Sequence, residues 1–244
     1  MKKGVQMYAI RDLASKSMEK ALETVASIGY EGVEFAGFYD HSAEQIAALL
    51  KKYNLEALGA HVHEDEMFDK ADETIAFHKV IGNNRIICPW YDLKTKADVL
   101  ELAEKMKAVA PKYKAAGMKL FYHNHAHEFV KDGEDYLIDL LAQEVPADIL
   151  SLEFDAYWVY RGGECPVKYL TKYADRIEIF HAKDGIGEQS TTLSEGAVDI
   201  IAVFEFAKKN NMAWAVAESE GSKEAEGQVE AITKDYAAMV NLIK

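Results

Sequence analysis

Short apolar runs alternate with segments of helical periodicity along the whole 244-residue chain, and this alternation constrains the fold more than any other feature. Strands joined by helices must run parallel, and near-continuous apolar strands predict a sheet covered on both faces. Apolar residues recur at three- and four-residue spacing between the runs, for example from Val99 to Ala110. The eight runs are Val5–Ile10, Gly32–Phe35, Ala57–Val62, Arg85–Cys88, Met118–Tyr122, Ile149–Phe154, Ile177–Phe180 and Ala213–Ala217.

Two architectures satisfy this pattern, an open doubly wound sheet and a closed barrel. Eight strand–helix units in a chain of this length favour the barrel, which typically uses about 250 residues. The segment Gly4–Tyr8 does not carry the GxGxxG fingerprint that an open dinucleotide-binding sheet would place after its first strand. Gly29, Gly82 and Gly117 each follow a helical segment and precede a strand, as left-handed helix caps do. We therefore predict an α/β fold, a single (β/α)8 TIM barrel over residues 1–244.

The charge and the apolar runs limit the partners and the compartment. The formal net charge is −13, whereas nucleic-acid binding depends on clustered Lys and Arg that displace counterions from phosphates. We therefore expect no nucleic-acid partner. No apolar run approaches the roughly 18 residues of a membrane span, and Arg11-Asp12 interrupts the apolar stretch after Met1-Lys2-Lys3. We expect a cytoplasmic protein with no membrane association.

Polar side chains gather at the carboxyl ends of the predicted strands, which is where active sites of barrels form. Because successive strand residues face opposite sides, His123 and His125 are predicted to share the inner side with Asp155 and Glu218. The polar residues after the third, fifth, sixth, seventh and eighth strands include His61, His123, His125, Glu128, Asp155, His181, Lys183 and Glu218.

Histidine and carboxylate side chains from several strands at one place predict a divalent metal ion. Isolated carboxylates there would repel one another and would be costly to desolvate, and a shared cation offsets both penalties. Imidazole and oxygen donors without thiolate suit Mn2+, Mg2+, Co2+ or Zn2+. Taken singly, Asp155 has an ordinary alternative role as a helix N-cap, and an inward histidine has one as a hydrogen-bonded core residue. The set as a whole favours the metal site.

The motif His123-Asn124-His125-Ala126-His127-Glu128-Phe129 resembles the sugar phosphate isomerase/epimerase family. This family of xylose isomerase-like TIM barrels includes inosose dehydratases, dehydroshikimate dehydratases, ketose 3-epimerases and endonuclease IV. The similarity covers the whole chain and is most specific where this motif is combined with Phe180-His181-Ala182-Lys183-Asp184. Further matching segments are Val5–Tyr8, Gly29–Phe35, His61, Leu152–Asp155 and Ala217-Glu218.

The resemblance implies a metal site with one departure from the family pattern. Family members usually hold the ion with Glu, Asp, His and Glu from strands five to eight, and Asp155, His181 and Glu218 match the last three. His123 stands where many members have the first Glu. Glu128 is our candidate for the missing ligand, and His123 is its rival. Trp158 stands where several epimerases and dehydratases have a second His, and it offers either an aromatic wall for a sugar or packing under the loop.

The chemistry implied by the resemblance is proton transfer next to a carbonyl through a metal-stabilised enediolate. For an isomerase or epimerase, Glu218 is expected to act with Glu128 or His125 on opposite faces of the substrate. The alternative is a dehydratase or lyase acting on a keto-sugar or inosose, with His125 as base and Lys183 or His123 as acid. His61, His123 and Trp158 are the expected substrate-binding residues.

Two further alternatives remain at this level. A non-catalytic sugar-binding barrel is consistent with the missing first Glu, whereas the net charge argues against an endonuclease. The acidic composition favours a neutral sugar, keto-sugar or cyclitol over a sugar phosphate. Members of the family often form dimers or tetramers, so a homo-oligomer is compatible with the resemblance, although the sequence identifies no interface.

Overall fold

Eight parallel strands close into a barrel in the computed structural model, which describes residues 1–220 and 224–244. The strands are β1 (Lys2–Gln6), β2 (Gly32–Ala36), β3 (Glu56–His61), β4 (Arg85–Cys88), β5 (Lys119–His123), β6 (Leu150–Asp155), β7 (Ile177–Ala182) and β8 (Trp214–Ala217). The order around the barrel is β1-β8-β7-β6-β5-β4-β3-β2, so each strand pairs with its neighbour along the chain and β8 closes on β1. The predicted (β/α)8 fold is confirmed.

Helices cover the outside of this barrel. They are α1 (Arg11–Lys16), α2 (Met18–Ile28), α3 (Ala43–Tyr53), α4 (Ala71–Ile81), α5 (Lys96–Ala115), α6 (Leu137–Glu144), α7 (Ala156–Arg161), α8 (Pro166–Lys172), α9 (Ile200–Lys209) and α10 (Ala225–Ile243). Two short hairpins, Lys131–Tyr136 and Asp184–Thr191, lie in loops at the carboxyl end. Within the described residues, none of the helices combines the length and the apolar character that crossing a bilayer requires.

Local signals explain where the elements end. The first strand stops at Gln6 rather than at Ile10, because the Gln6 side chain accepts a hydrogen bond from the Tyr8 N–H and starts a 3-10 turn. The three predicted glycine caps are confirmed, since Gly29, Gly82 and Gly117 adopt φ of 115°, 75° and 75°.

The inside of the barrel is divided into an apolar layer and a polar layer. The apolar layer consists of Leu58, Ile87, Phe121, Ile179, Trp214 and Val216. On β5, β7 and β8 the next inward residue toward the carboxyl end is His123, His181 or Glu218, as alternation predicts. The polar layer therefore rests directly on a packed apolar floor that excludes water from below.

Candidate metal centre

Side chains from four consecutive strands converge at the carboxyl end of the barrel. His123 of β5, Asp155 of β6, His181 of β7 and Glu218 after β8 each offer a ligand atom, and these atoms lie within 4.8 Å of one another. All four residues are buried, with exposed fractions of 5% or less. We call them the mouth group. Of the residues predicted as metal ligands, the structure brings together Asp155, His181 and Glu218.

Asp155 caps a helix with one carboxylate oxygen and leaves the other free, so the helix cap is confirmed and the metal ligand stays a prediction. Its Oδ1 accepts a hydrogen bond of 2.9 Å from the Trp158 N–H and caps α7. Its Oδ2 is buried and has no hydrogen-bond partner, while the Asn124 side chain holds the Asp155 backbone through both its polar atoms. Burial raises the pKa of Asp155 to about 7. The carboxylate therefore presents one free oxygen toward the mouth group.

The buried Lys183 pairs with two glutamates at the carboxyl end of the barrel. Its Nζ lies 3.1 Å from Glu218 Oε2 and also pairs with Glu220. Burial opposes the charged form of Lys183, but Glu218, Asp155 and Glu220 together raise its pKa above the usual range. The side chain is fully buried and lies 4.8 Å from the centre of the Trp158 ring. The structure places Lys183 beside the charge of Glu218, and its role as an acid stays a prediction.

His181 connects the mouth group with a deeper layer of the barrel. Its Nδ1 lies 3.2 Å from Glu218 Oε2 and 3.8 Å from Asp155 Oδ2. Its Nε2 points the other way and lies 2.8 Å from Glu34 Oε1 and 3.3 Å from Glu153 Oε2. One imidazole ring therefore touches acidic groups on both sides.

The deeper layer contains two buried glutamates that the sequence analysis did not select, Glu34 of β2 and Glu153 of β6. His61 Nε2 lies 2.9 Å from Glu153 Oε2 and 3.1 Å from Glu34 Oε1. Burial opposes the charged form of His61, but the two glutamates raise its pKa to about 9. We call Glu34, His61 and Glu153 the inner group. The ligand atoms of His61, Glu153, His123 and His181 also lie within 4.8 Å of one another.

Two signals could have identified the inner group. Glu34 lies between Val33 and Phe35, whose side chains belong to the outer core, so alternation turns Glu34 inward. Glu153 lies between Leu152 and Phe154 in the same way. The pairing register also shifts at both positions, and such bulges re-aim side chains near functional sites.

Glu128, the candidate for the missing ligand, forms hydrogen bonds away from the mouth group, and its role as a metal ligand stays a prediction. Its Oε1 accepts a hydrogen bond from the Tyr122 hydroxyl and its Oε2 accepts one from the His125 N–H, both at 2.8 Å. Tyr122 faces the helices, so Glu128 is held on the outer side of β5 and lies in neither group of candidate ligands. The rival residue His123 occupies the strand-five position, and Glu128 fixes the loop that carries His125.

A cavity of about 440 Å³ opens above the mouth group. His61, His123, His125 and Glu218 reach it, together with Trp158, which was predicted as a substrate wall. The His125 ring is flanked by Trp90 and Trp158, with both ring centres 5.0 Å away. Flat aromatic faces and a few convergent polar groups are typical of a small-molecule site.

His125 differs from the other inward histidines because it contacts no carboxylate. Its Nδ1 is buried without a hydrogen-bond partner. Burial lowers the pKa of His125 to about 3, so the ring is neutral at neutral pH. A neutral imidazole that lines the cavity offers an unprotonated nitrogen to a ligand there.

The residues of the mouth group fit a divalent cation. Within the described residues, this end of the barrel buries Glu34, Glu153, Asp155 and Glu218 with a single lysine in contact with them. Asp155 Oδ2 is buried without a hydrogen-bond partner, and His123 Nδ1 lies 3.2 Å from Glu153 Oε2. Buried polar atoms rarely lack a hydrogen-bond partner in proteins. Two imidazoles and two carboxylates suit Zn2+, Mn2+ or Co2+ and also admit Mg2+.

Comparison with known proteins gives consistent similarities. The model of a family described as the xylose isomerase-like TIM barrel matches residues 22–240. An inosose dehydratase from Clostridium beijerinckii is 23% identical over an alignment of 247 residues, which covers 84% of this chain and 82% of that protein.

Solved structures also superpose over the full barrel. A sugar phosphate isomerase/epimerase from Parabacteroides distasonis aligns with a TM-score of 0.88 and 20% identity, with 100% of both chains covered. A structure described as IOLI protein with a bound zinc atom aligns with a TM-score of 0.77 and 16% identity, covering 100% of this chain and 98% of that one. At these identities the structural likeness establishes the fold.

Proposed function

The chain belongs to the xylose isomerase-like TIM barrel family, and from that premise we propose that it is a divalent-metal-dependent isomerase or epimerase of a neutral sugar, keto-sugar or cyclitol. The reaction is proton transfer at a carbon next to a carbonyl group. The similarity to an inosose dehydratase and to a sugar phosphate isomerase/epimerase supports a sugar-like substrate.

The observation that carries the proposal is the convergence of His123, Asp155, His181 and Glu218 beneath a cavity with aromatic walls. These four residues would hold the cation. When bound, a divalent ion polarises a carbonyl oxygen and offsets the negative charge that develops when the neighbouring carbon loses its proton. The apolar floor and the surrounding burial strengthen each electrostatic interaction inside the site.

Proton transfer requires a base and an acid within reach of the substrate. His125 and Glu218 both line the cavity, from β5 and from the end of β8, three strands apart around the barrel. Glu128 fixes the backbone of His125, and Lys183 fixes the charge of Glu218. We propose that these two groups act from two sides of the bound substrate, one removing the proton and the other returning it.

A dehydratase or lyase is the second candidate, and a specific observation favours it. His123 occupies the strand-five position where many family members carry a carboxylate, so Glu218 is the one carboxylate of the mouth group that lines the cavity in the described residues. A site with one such carboxylate rather than two suits removal of one proton by His125 and departure of the β-oxygen as water. The reaction product separates the two candidates.

The test is proton NMR of candidate substrates in D2O. A panel of ketoses, aldoses, inososes and 3-keto-glycosides is incubated with protein and Mn2+ or Mg2+, and in parallel with protein and EDTA. We expect metal-dependent deuterium uptake at one carbon. A new isomer that accumulates supports the isomerase or epimerase, and an eliminated product supports the dehydratase or lyase.

The His125→Ala variant is the matched control, because it removes a candidate base without removing a ligand. Its failure to catalyse exchange while still binding metal would support the assigned roles. Absence of exchange across the panel with metal bound to the wild-type protein would contradict the proposal and favour a non-catalytic sugar-binding barrel.

A further inference from the structure

We propose that Glu34 is a positioning residue that orients the imidazole of His181, so that Nδ1 faces the cation and Nε2 remains protonated. The inference deepens the proposed function, because it concerns how the barrel holds one ligand of the metal centre. Glu34 touches neither the cavity nor the mouth-facing nitrogen of His181.

The geometry of the contact is direct. His181 Nε2 lies 2.8 Å from Glu34 Oε1, and the same oxygen accepts a hydrogen bond of 2.6 Å from Gln6 Nε2. Gln6 is itself oriented, because its own Oε1 accepts from the Tyr8 N–H. Since a carboxylate can only accept hydrogen bonds, it requires a proton on His181 Nε2. The chain Gln6–Glu34–His181 links β1, β2 and β7 across the inside of the barrel.

The barrel makes specific room for this carboxylate. A Cβ at Gly59 would lie 2.8 Å from Glu34 Oε2, so the glycine leaves the space that the carboxylate fills. The pairing of β2 with β3 is irregular at Glu34, where the strand passes Gly59. Glu34 is completely buried, and its described polar partners are Gln6, His61 and His181, without a lysine or an arginine.

A merely structural role explains these features poorly. Desolvating a carboxylate is costly, and well-packed apolar replacements of buried ionic groups are often neutral or stabilising. Metal-ligating histidines, in contrast, usually donate their second N–H to a carboxylate or carbonyl, which fixes the tautomer and the ring orientation. Glu153 Oε2 lies 3.3 Å from the same nitrogen of His181 and 2.9 Å from His61 Nε2, so His61 helps to hold this second carboxylate in place.

The test compares metal affinity with metal-free stability in Glu34→Gln and Glu34→Asp. Chelator-stripped proteins are titrated with Zn2+ and with Mn2+ against a chromophoric chelator, and urea unfolding is measured without metal. Glu34→Gln keeps the shape and removes the charge, while Glu34→Asp keeps the charge and shortens its reach. We expect both variants to bind metal about 10- to 100-fold more weakly, with midpoints of unfolding equal to or above that of the wild type.

Glu31→Gln is the matched control, since Glu31 lies three residues earlier and pairs with Lys3 at the opposite end of the barrel. It should bind metal like the wild type. Wild-type affinity in both Glu34 variants would overturn the inference while leaving the metal centre intact. Absence of metal binding by the wild type would instead overturn the proposed function. Lower metal-free stability with unchanged affinity would make Glu34 structural.

A second readout reports on the nitrogen itself. Long-range 1H–15N spectra of the zinc-loaded protein should show His181 protonated at Nε2 and bound to zinc through Nδ1. Coordination through Nε2 would place the ion in the inner group and overturn the inference, whether or not Glu34 affects affinity.

Discussion

The two ends of the barrel carry acidic residues in opposite ways. At the amino end, Glu31 pairs with Lys3, Glu56 of β3 pairs with Lys2 of β1, and Glu178 of β7 pairs with Lys119 of β5, with a third or more of each glutamate side chain exposed. At the carboxyl end, Glu34, Glu153, Asp155 and Glu218 are buried among imidazoles and one lysine. β2 serves both ends, with the partly exposed Glu31 just before the strand and the buried Glu34 within it, so position along the strand rather than residue type decides the environment.

This difference separates charges that serve solubility from charges that serve a site. Exposed pairs typically contribute about 0–1 kcal/mol and are screened by salt. Buried carboxylates without enough cationic partners cost free energy, so a fold keeps them where a bound cation or a substrate compensates. The comparison therefore supports placing the proposed metal centre at the carboxyl end.

The largest effects should come from the mouth group. Asp155→Asn and Glu218→Gln remove charges that a cation needs, and each should weaken metal binding by more than about 100-fold and abolish turnover. Asn also caps helices, so the hydrogen bond to the Trp158 N–H survives in Asp155→Asn. Calorimetric metal titration and the exchange assay check both variants. Full activity in both would remove the distinction between the two ends.

His125 should separate catalysis from metal binding. His125→Ala is expected to keep metal affinity, because the ring lies outside both groups of candidate ligands. Proton exchange should fall by about 10²- to 10⁴-fold, the usual contribution of a general acid or base. Metal titration and the D2O assay on the same preparation decide, and loss of metal binding would show that His125 is a ligand.

His78 of α4 is a buried imidazole outside the mouth and inner groups, with Asn83 rather than a carboxylate as its partner. It shows how a buried histidine behaves without the acidic neighbours of the carboxyl end. Burial lowers its pKa to about 4, and its Nδ1 lies 2.9 Å from Asn83 Nδ2. In the unfolded chain the His78 imidazole binds a proton near pH 6.5, whereas in the folded protein it does so only near pH 4. Stability from the neutral buried His78 is therefore complete above pH 6.5. It is lost as the pH falls toward 4, by about 3 kcal/mol in total.

Urea unfolding of the wild type and of His78→Gln across pH 4–7 measures this effect. The difference in unfolding free energy between the two proteins should change by about 3 kcal/mol over that range, as one linked proton requires. Parallel curves would show that His78 does not contribute to acid sensitivity, and that the carboxyl-end groups account for it.

Glu128 tests whether the loop after β5 is a support or part of the metal centre. Glu128→Ala leaves the Tyr122 hydroxyl and the His125 N–H without their partner and should cost about 1–3 kcal/mol of unfolding free energy. Metal affinity should be retained and exchange reduced, because His125 is less well held. Loss of metal binding with unchanged stability would restore Glu128 as a ligand.

The smallest effect is expected at the amino end. Glu31→Gln breaks the 2.8 Å pair with Lys3, and the Glu31 side chain is 42% exposed. The free energy of unfolding should change by less than about 1 kcal/mol, with metal affinity unchanged. Chemical denaturation and metal titration check the variant. A change above this, or weaker metal binding, would break the proposed difference between the ends.

Much of this architecture was predictable from the sequence, for a physical reason. Period-two and period-3.6 patterns identify strands and helices, and the rule that barrel sites form at the carboxyl ends selected Asp155, His181 and Glu218. Glu34 and Glu153 were overlooked because they lie one layer deeper in the barrel than the strand-end residues, at irregular register positions. Glu128 and Lys183 were assigned to the chemistry because loop conformation and side-chain reach are set by packing, which periodicity does not describe.

The most direct test of the account is anomalous X-ray diffraction from crystals grown with Mn2+ or Zn2+, recorded on both sides of the metal absorption edge. One peak is expected, within about 2.0–2.3 Å of ligand atoms of His123, Asp155, His181 and Glu218. A peak between His61 and Glu153, or a peak only among the exposed carboxylates of the amino end, would contradict it.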